Sequence, residues 1–227
     1  MTPGVVVTDM LAELQQQLSD IYQLTGTCDV RDYIITDPTL AKIISQDAML
    51  TNTDETLLVS QDKDGLALSL FLDADMLDRL ESSNPLNCLR EELLDDLWKV
   101  MEGISHFNCV VWKATQDRNV SLLELELQGE IDKFVSTMLL AQGQANGDLL
   151  NRLHGWLFEN VRYNNELDDE QLDRYRSANA YAARFCHRLR QQLIDNDELA
   201  LSELRRFYRL QLGDKISHIH SRAWRSA

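Results

Sequence analysis

From Asp9 onward, apolar residues return every three or four positions, at Leu11, Leu14, Leu18, Ile21 and Tyr22, with Gln15 to Gln17 on the other face. That period predicts a helix capped by Asp9 and ended at Gly26. Residues 30–36 are short, β-branched and aromatic, which predicts a strand. Asp37-Pro38 then has the form of a helix start, with Leu40, Ile43 and Ile44 expected on the buried face. Two β-rich runs, 56–60 and 66–72, flank a polar group that ends in Asp64-Gly65, the residue pair that supplies positive φ in hairpin loops. The second run is almost continuously apolar, as in a strand covered on one face or both. Asp73 is the expected cap of a short helix through Leu80, and Ser82-Ser83-Asn84-Pro85 is the expected linker.

Beyond Leu86 the pattern is helical throughout. The predicted runs are 88–114, 121–142, 148–162, 168–194 and 198–212, and the tail past Gly213 carries no assignment. Short polar breaks between them favour antiparallel neighbours and therefore a bundle. The alternation of residues 123–128 would also suit a strand, but Ile131, Phe134, Val135 and Met138 continue at helical spacing. The predicted fold is α+β and predominantly α: an N-terminal subdomain (1–85) with a hairpin and about three strands, then a five-helix bundle-like subdomain (86–227), the two packed as one unit.

Composition changes this picture little. With 227 residues, 44% of them hydrophobic and 26% charged, the chain can bury a core without disulfides or metals. The cysteines at 28, 88, 109 and 186 form no Cys-x-x-Cys pair and are expected to be reduced, intracellular thiols. No stretch approaches the ~18 apolar residues of a membrane span, and the start has no basic region of a signal peptide, so a cytoplasmic protein without membrane contact is expected.

Charge changes it more. The net charge of −15 divides into −21 over residues 1–173 and +6 over 174–227. Such an asymmetry suits a basic segment folded back on an acidic body. The acidic field disfavours direct nucleic-acid binding.

The chemistry concentrates in residues 93–138. On a helix, Asp95, Lys99, Glu102, His106 and Lys113 share one narrow strip, opposite a broad apolar arc. Glu102 and His106 are four apart, so a carboxylate could orient an imidazole for acid–base catalysis, or the two could hold a metal. The charged residues beside them predict a solvated strip, with a helix pair of ~0.2–0.5 kcal/mol. Cys109 lies at the edge of the same strip, but a buried, inert thiol is the commoner outcome. Glu126, Glu130 and Lys133 line the polar side of the next run. Facing Glu102 and His106, those two glutamates would complete a divalent-metal site. Glu124 follows Ser121 at capping-box spacing, which gives it a structural role.

Other motifs are weaker. Asp62-Lys63-Asp64-Gly65 shares the opening of a calcium loop but lacks the glutamate at its twelfth position. His154 and His187 are lone histidines, and His218-Ile219-His220 could chelate only if extended. The Glu-x-x-His pairs of di-iron bundles, His-Glu-x-x-His, Gly-x-Ser-x-Gly and glycine-rich phosphate loops are all missing. Arg174, Arg176, Arg184, Arg188, Arg205, Arg206 and Arg209, interleaved with aromatics, are the candidate contacts for an anionic partner. Internal packing and charge pairing are the favoured explanation for them. The leading expectation is an interaction protein, acting as an adaptor, regulator or inhibitor of a protein partner. The alternatives are a metal-dependent enzyme whose catalytic pair is Glu102 and His106, and an acidic decoy of a nucleic-acid-binding protein.

Overall fold

The computed structural model describes residues 4–26, 28–45, 53–61, 65–163, 167–195 and 198–221. Its architecture is α+β and predominantly α, with a small three-stranded mixed sheet. The chain forms two compact units: Met1–Ser19 with Leu24–Arg118, and Asp20–Gln23 with Asn119–Ala227. The division falls after Arg118, whereas the composition placed it at residues 82–85.

In the first unit, α1 (Gly4–Tyr22) buries Met10, Leu11, Leu14 and Leu18. It begins before Asp9, which is therefore not its cap, and ends at Gln23, whose φ of 52° leaves the helical region. Gln15, expected on the polar face, is buried. Its amide donates to Cys28 O and Asn108 Oδ1, both at 2.9 Å, and accepts from Val30 N at 2.9 Å. One amide thus satisfies three groups that burial would otherwise penalise.

The strand expected over 30–36 is mostly a 3₁₀ turn (Val30–Tyr33), capped by Asp29, leaving only β1 (Ile34–Ile35). The hairpin forms as its sequence implies: β2 (Glu55–Gln61) runs antiparallel to β3 (Leu66–Leu72), from Glu55 opposite Leu72 to Gln61 opposite Leu66. Strand β3 is central, with β1 parallel on its other side, but only Leu70, Phe71 and Leu72 are buried. Asp37 caps α2 (Pro38–Ile44), as expected. Its predicted buried face is reversed: Ala41 is buried, while Leu40, Ile43 and Ile44 are 42%, 69% and 40% exposed. Ala41 stands about 100° around the helix from Leu40, so a small residue marks the packed side.

Asp73 caps α3 (Ala74–Ser82), whose Arg79 grips Asp96 through Nε and Nη2 at 2.7 and 2.8 Å. Asp96 lies in the first turn of α4 (Leu94–Thr115), the long helix that packs against β2, β3 and α3.

In the second unit, α5 (Leu122–Gly143) packs against α6 (Gly147–Glu159) and α7 (Asp169–Ile194). From Glu124 to Met138 almost every residue of α5 is buried, as in the central helix of a bundle. Helix α7 opens on a capping box between Asp168 and Gln171 and buries the row Ala178, Ala182, Phe185 and Leu189. Two further helices, α8 (Glu198–Arg209) and α9 (Leu212–His220), complete the unit. Phe207 of α8 meets Phe185 with ring centroids 4.0 Å apart, and Tyr208 stacks on Tyr22 at 4.3 Å. No helix among the described residues is long and apolar enough to cross a membrane.

Candidate metal centre

Glu102 and His106 lie one turn apart on α4, with Gly103 between them. Strand β2 crosses this turn at its first residue. A Cβ built on Gly103 would stand 2.8 Å from Leu70 Cδ1 and 3.0 Å from both Cγ and Oε1 of Glu55. The missing side chain is therefore what allows the hairpin to bring Glu55 down onto α4. One ligand atom each from Glu55, Glu102 and His106 lies within 4.8 Å of the other two. Around a bound transition metal, with bonds of ~2.0–2.2 Å, neighbouring ligand atoms stand roughly 3–4 Å apart.

The strip is solvated only at its start, where Asp95 is exposed. His106 is 9% and Lys113 1% exposed, while both glutamates are half-buried. Neighbouring charges are neutralised locally: Lys99 Nζ donates to Asp54 at 2.8 Å and to Asp95 at 2.6 Å. Asp54 also accepts from Asp73 N through its backbone at 2.8 Å, which fixes the start of β2 beside Glu55. Cys109 is buried.

The chain matches no known family model, curated protein or solved structure. What the cluster could hold is therefore read from its chemistry and geometry alone. An imidazole with two carboxylates is a borderline-hard donor set of charge −2, suited to Zn²⁺, Mn²⁺ or Fe²⁺. Calcium is less suited, because it prefers oxygen ligands throughout.

The other anticipated site residues have neighbours of their own. Glu126 and Glu130 belong to the second unit, where Glu126 lies 3.8 Å from Arg174 and Glu130 accepts from Lys133 at 2.7 Å. His218 and His220 are on a helix and diverge. His218 pairs with Glu203 at 2.6 Å, and His220 Nδ1 lies 3.0 Å from Arg184. Residues 62–64, with the calcium-like opening, lie outside the described residues.

Several of the arginines considered for an anionic partner make contacts within the unit. Arg205 and Arg209 donate to Ile21 O and Tyr22 O, both at 3.0 Å, and so cap the last carbonyls of α1. Arg176 lies 6.0 Å over the Tyr163 ring, and Arg188 buries its Nη1. Arg206 is exposed.

The sequence also concealed a buried polar chain in the second unit. Tyr22 donates to Asp132, and Gln128 Nε2 donates to Tyr22 Oη at 3.1 Å and to Asp132 at 2.9 Å. Lys215 of α9, wholly buried, approaches Gln128 Oε1 at 3.4 Å and pairs with Glu124 at 3.1 Å. Ser121 caps α5 as expected by accepting from Glu124 N, while the Glu124 carboxylate meets Lys215. Burial, followed by the Asp132 charge and hydrogen bond, pushes the Tyr22 hydroxyl well above its usual pKa. Burial, reinforced by Glu130 and Asp132, does the same to the Cys186 thiol.

Proposed function

We propose that the protein binds one divalent transition-metal ion through Glu55, Glu102 and His106 and acts through that ion as a metal-dependent enzyme. The observation that carries this reading is the convergence of three ligand atoms from two elements far apart in sequence. Three protein ligands with positions left for water or substrate are the usual arrangement of catalytic rather than structural metal sites. An ion held there would supply Lewis-acid polarisation or a water activated near neutral pH.

Chelator-stripped protein dialysed against Zn²⁺ or Mn²⁺ is expected to take up one equivalent. Glu55→Gln, Glu102→Gln and His106→Asn should each weaken uptake at least tenfold, with far-ultraviolet circular dichroism unchanged. Glu126→Gln and Glu130→Gln should leave uptake as it was. Loading should fall on acidification, since all three ligands bind deprotonated. A protein that retains no ion, or a Glu55→Gln variant that loads like wild type, would reject the proposal.

A protein partner is a second reading, favoured by the apolar side chains Leu40, Ile43 and Ile44 that α2 leaves exposed. Binding through them would survive high salt and be lost in Ile43→Asp.

A further inference from the structure

Between α6 and α7 lies an open pocket of ≈ 540 Å³, a volume typical of small-molecule sites. Gly155 forms part of its lining. This residue sits inside α6, and a Cβ there would meet nothing closer than Glu159 Oε2 at 3.7 Å, an ordinary contact. Neither packing nor backbone conformation requires glycine at this position, and glycine weakens a helix interior relative to alanine. What its missing side chain does is leave the pocket open.

One wall is flat: the Arg152 guanidinium lies 4.5 Å over the Trp156 ring. Arg190 supplies a positive charge held in a fixed place. Its Nη2 donates to Leu150 O at 3.1 Å and to Asn151 O at 3.3 Å, which locks the guanidinium, while its Nε is buried without a protein acceptor. His154 Nε2 lies 3.0 Å from Ala183 O, so the ring is held by a backbone acceptor, with Nδ1 4.0 Å from Glu159. Glu159 is 73% exposed at the rim, and the two arginines outweigh it.

We propose that this pocket binds a small anion carried on a flat aromatic ring, stacked against Trp156 and Arg152 with its negative group toward Arg190. The site belongs to the second unit and does not depend on the metal proposal.

The test is a titration followed by the Trp156 indole N–H resonance, assigned with Trp156→Phe, using three probes. These are 2-naphthoate (ring and charge), 2-naphthamide (ring alone) and inorganic phosphate (charge alone). Saturable shifts are expected with 2-naphthoate, with at least tenfold weaker binding of the other two. Gly155→Ala, whose thermal midpoint should equal or exceed that of wild type, should weaken 2-naphthoate binding at least tenfold. No saturable shift, equal affinity for all three probes, or undiminished binding in Gly155→Ala would overturn the proposal.

Discussion

Gly103 sets the distance between the α4 backbone and the hairpin, and so decides where Glu55 lies. In Gly103→Ala the new methyl would be forced to within 2.8 Å of Leu70 Cδ1, and Leu70 is fully buried. The overpacking is expected to cost about 1–3 kcal/mol, partly offset by alanine's helix preference of about 1 kcal/mol. The more diagnostic effect is on Glu55, whose carboxylate must move, so metal affinity should fall by more than the loss in denaturation midpoint suggests. Two of this site's three residues were legible in the sequence. Glu102 and His106 are neighbours because helical spacing makes them so. Glu55 comes from the strand across the sheet interface, and no local pattern announces a partner that arrives through tertiary packing. The charged strip misled because Lys99 is neutralised by Asp54 and Asp95, which lets the rest of the strip turn inward.

Among the elements, hairpin, caps and long helices were readable because each rests on local chemistry: Gly65 at positive φ just before β3, Asp37, Asp73 and Ser121 at helix starts, and unbroken helical periods beyond. Helix α2 is too short for its apolar residues to define a face, and Ala41 settled its orientation. The tail past Gly213 gave no sequence signal, yet α9 forms and inserts Lys215 beside Glu124. Breaking a buried ion pair leaves an uncompensated charge, so Lys215→Met is expected to cost about 3–5 kcal/mol. In Lys215→Met/Glu124→Gln the charge is gone from both sides, and much of that loss should be recovered. Urea denaturation of wild type, the two single variants and the double variant gives the coupling directly. A double variant no more stable than Lys215→Met would show that the pair is not what holds α9.

Across the whole molecule, the charge asymmetry takes on a structural meaning. Residues 119–173, part of the acidic stretch, share a unit with the basic segment that follows, and Arg174–Glu126 and Lys215–Glu124 are pairs within it. The pH response should come from the same unit. Tyr22 and Cys186 have raised pKa values in the folded protein, against ordinary values of 10.0 and 9.0. Both are charged when deprotonated, so their contribution is complete below about pH 9 and is lost as pH rises toward their folded values. Each adds a slope of about 1.4 kcal/mol per pH unit once its unfolded form ionises. Stability measured between pH 8 and 11 should therefore fall steeply, and Tyr22→Phe should flatten the fall above pH 10 while lowering stability at pH 8 by about 1–3 kcal/mol, since buried Asp132 loses a donor.

The central claim, a metal held by Glu55, Glu102 and His106, meets its most direct test in the visible absorption of the Co²⁺-loaded protein. Titration of chelator-stripped wild type should develop d–d bands that saturate at one equivalent, and both Glu55→Gln and His106→Asn should abolish them. Bands that are missing in wild type, or that persist unchanged in Glu55→Gln, would contradict the account.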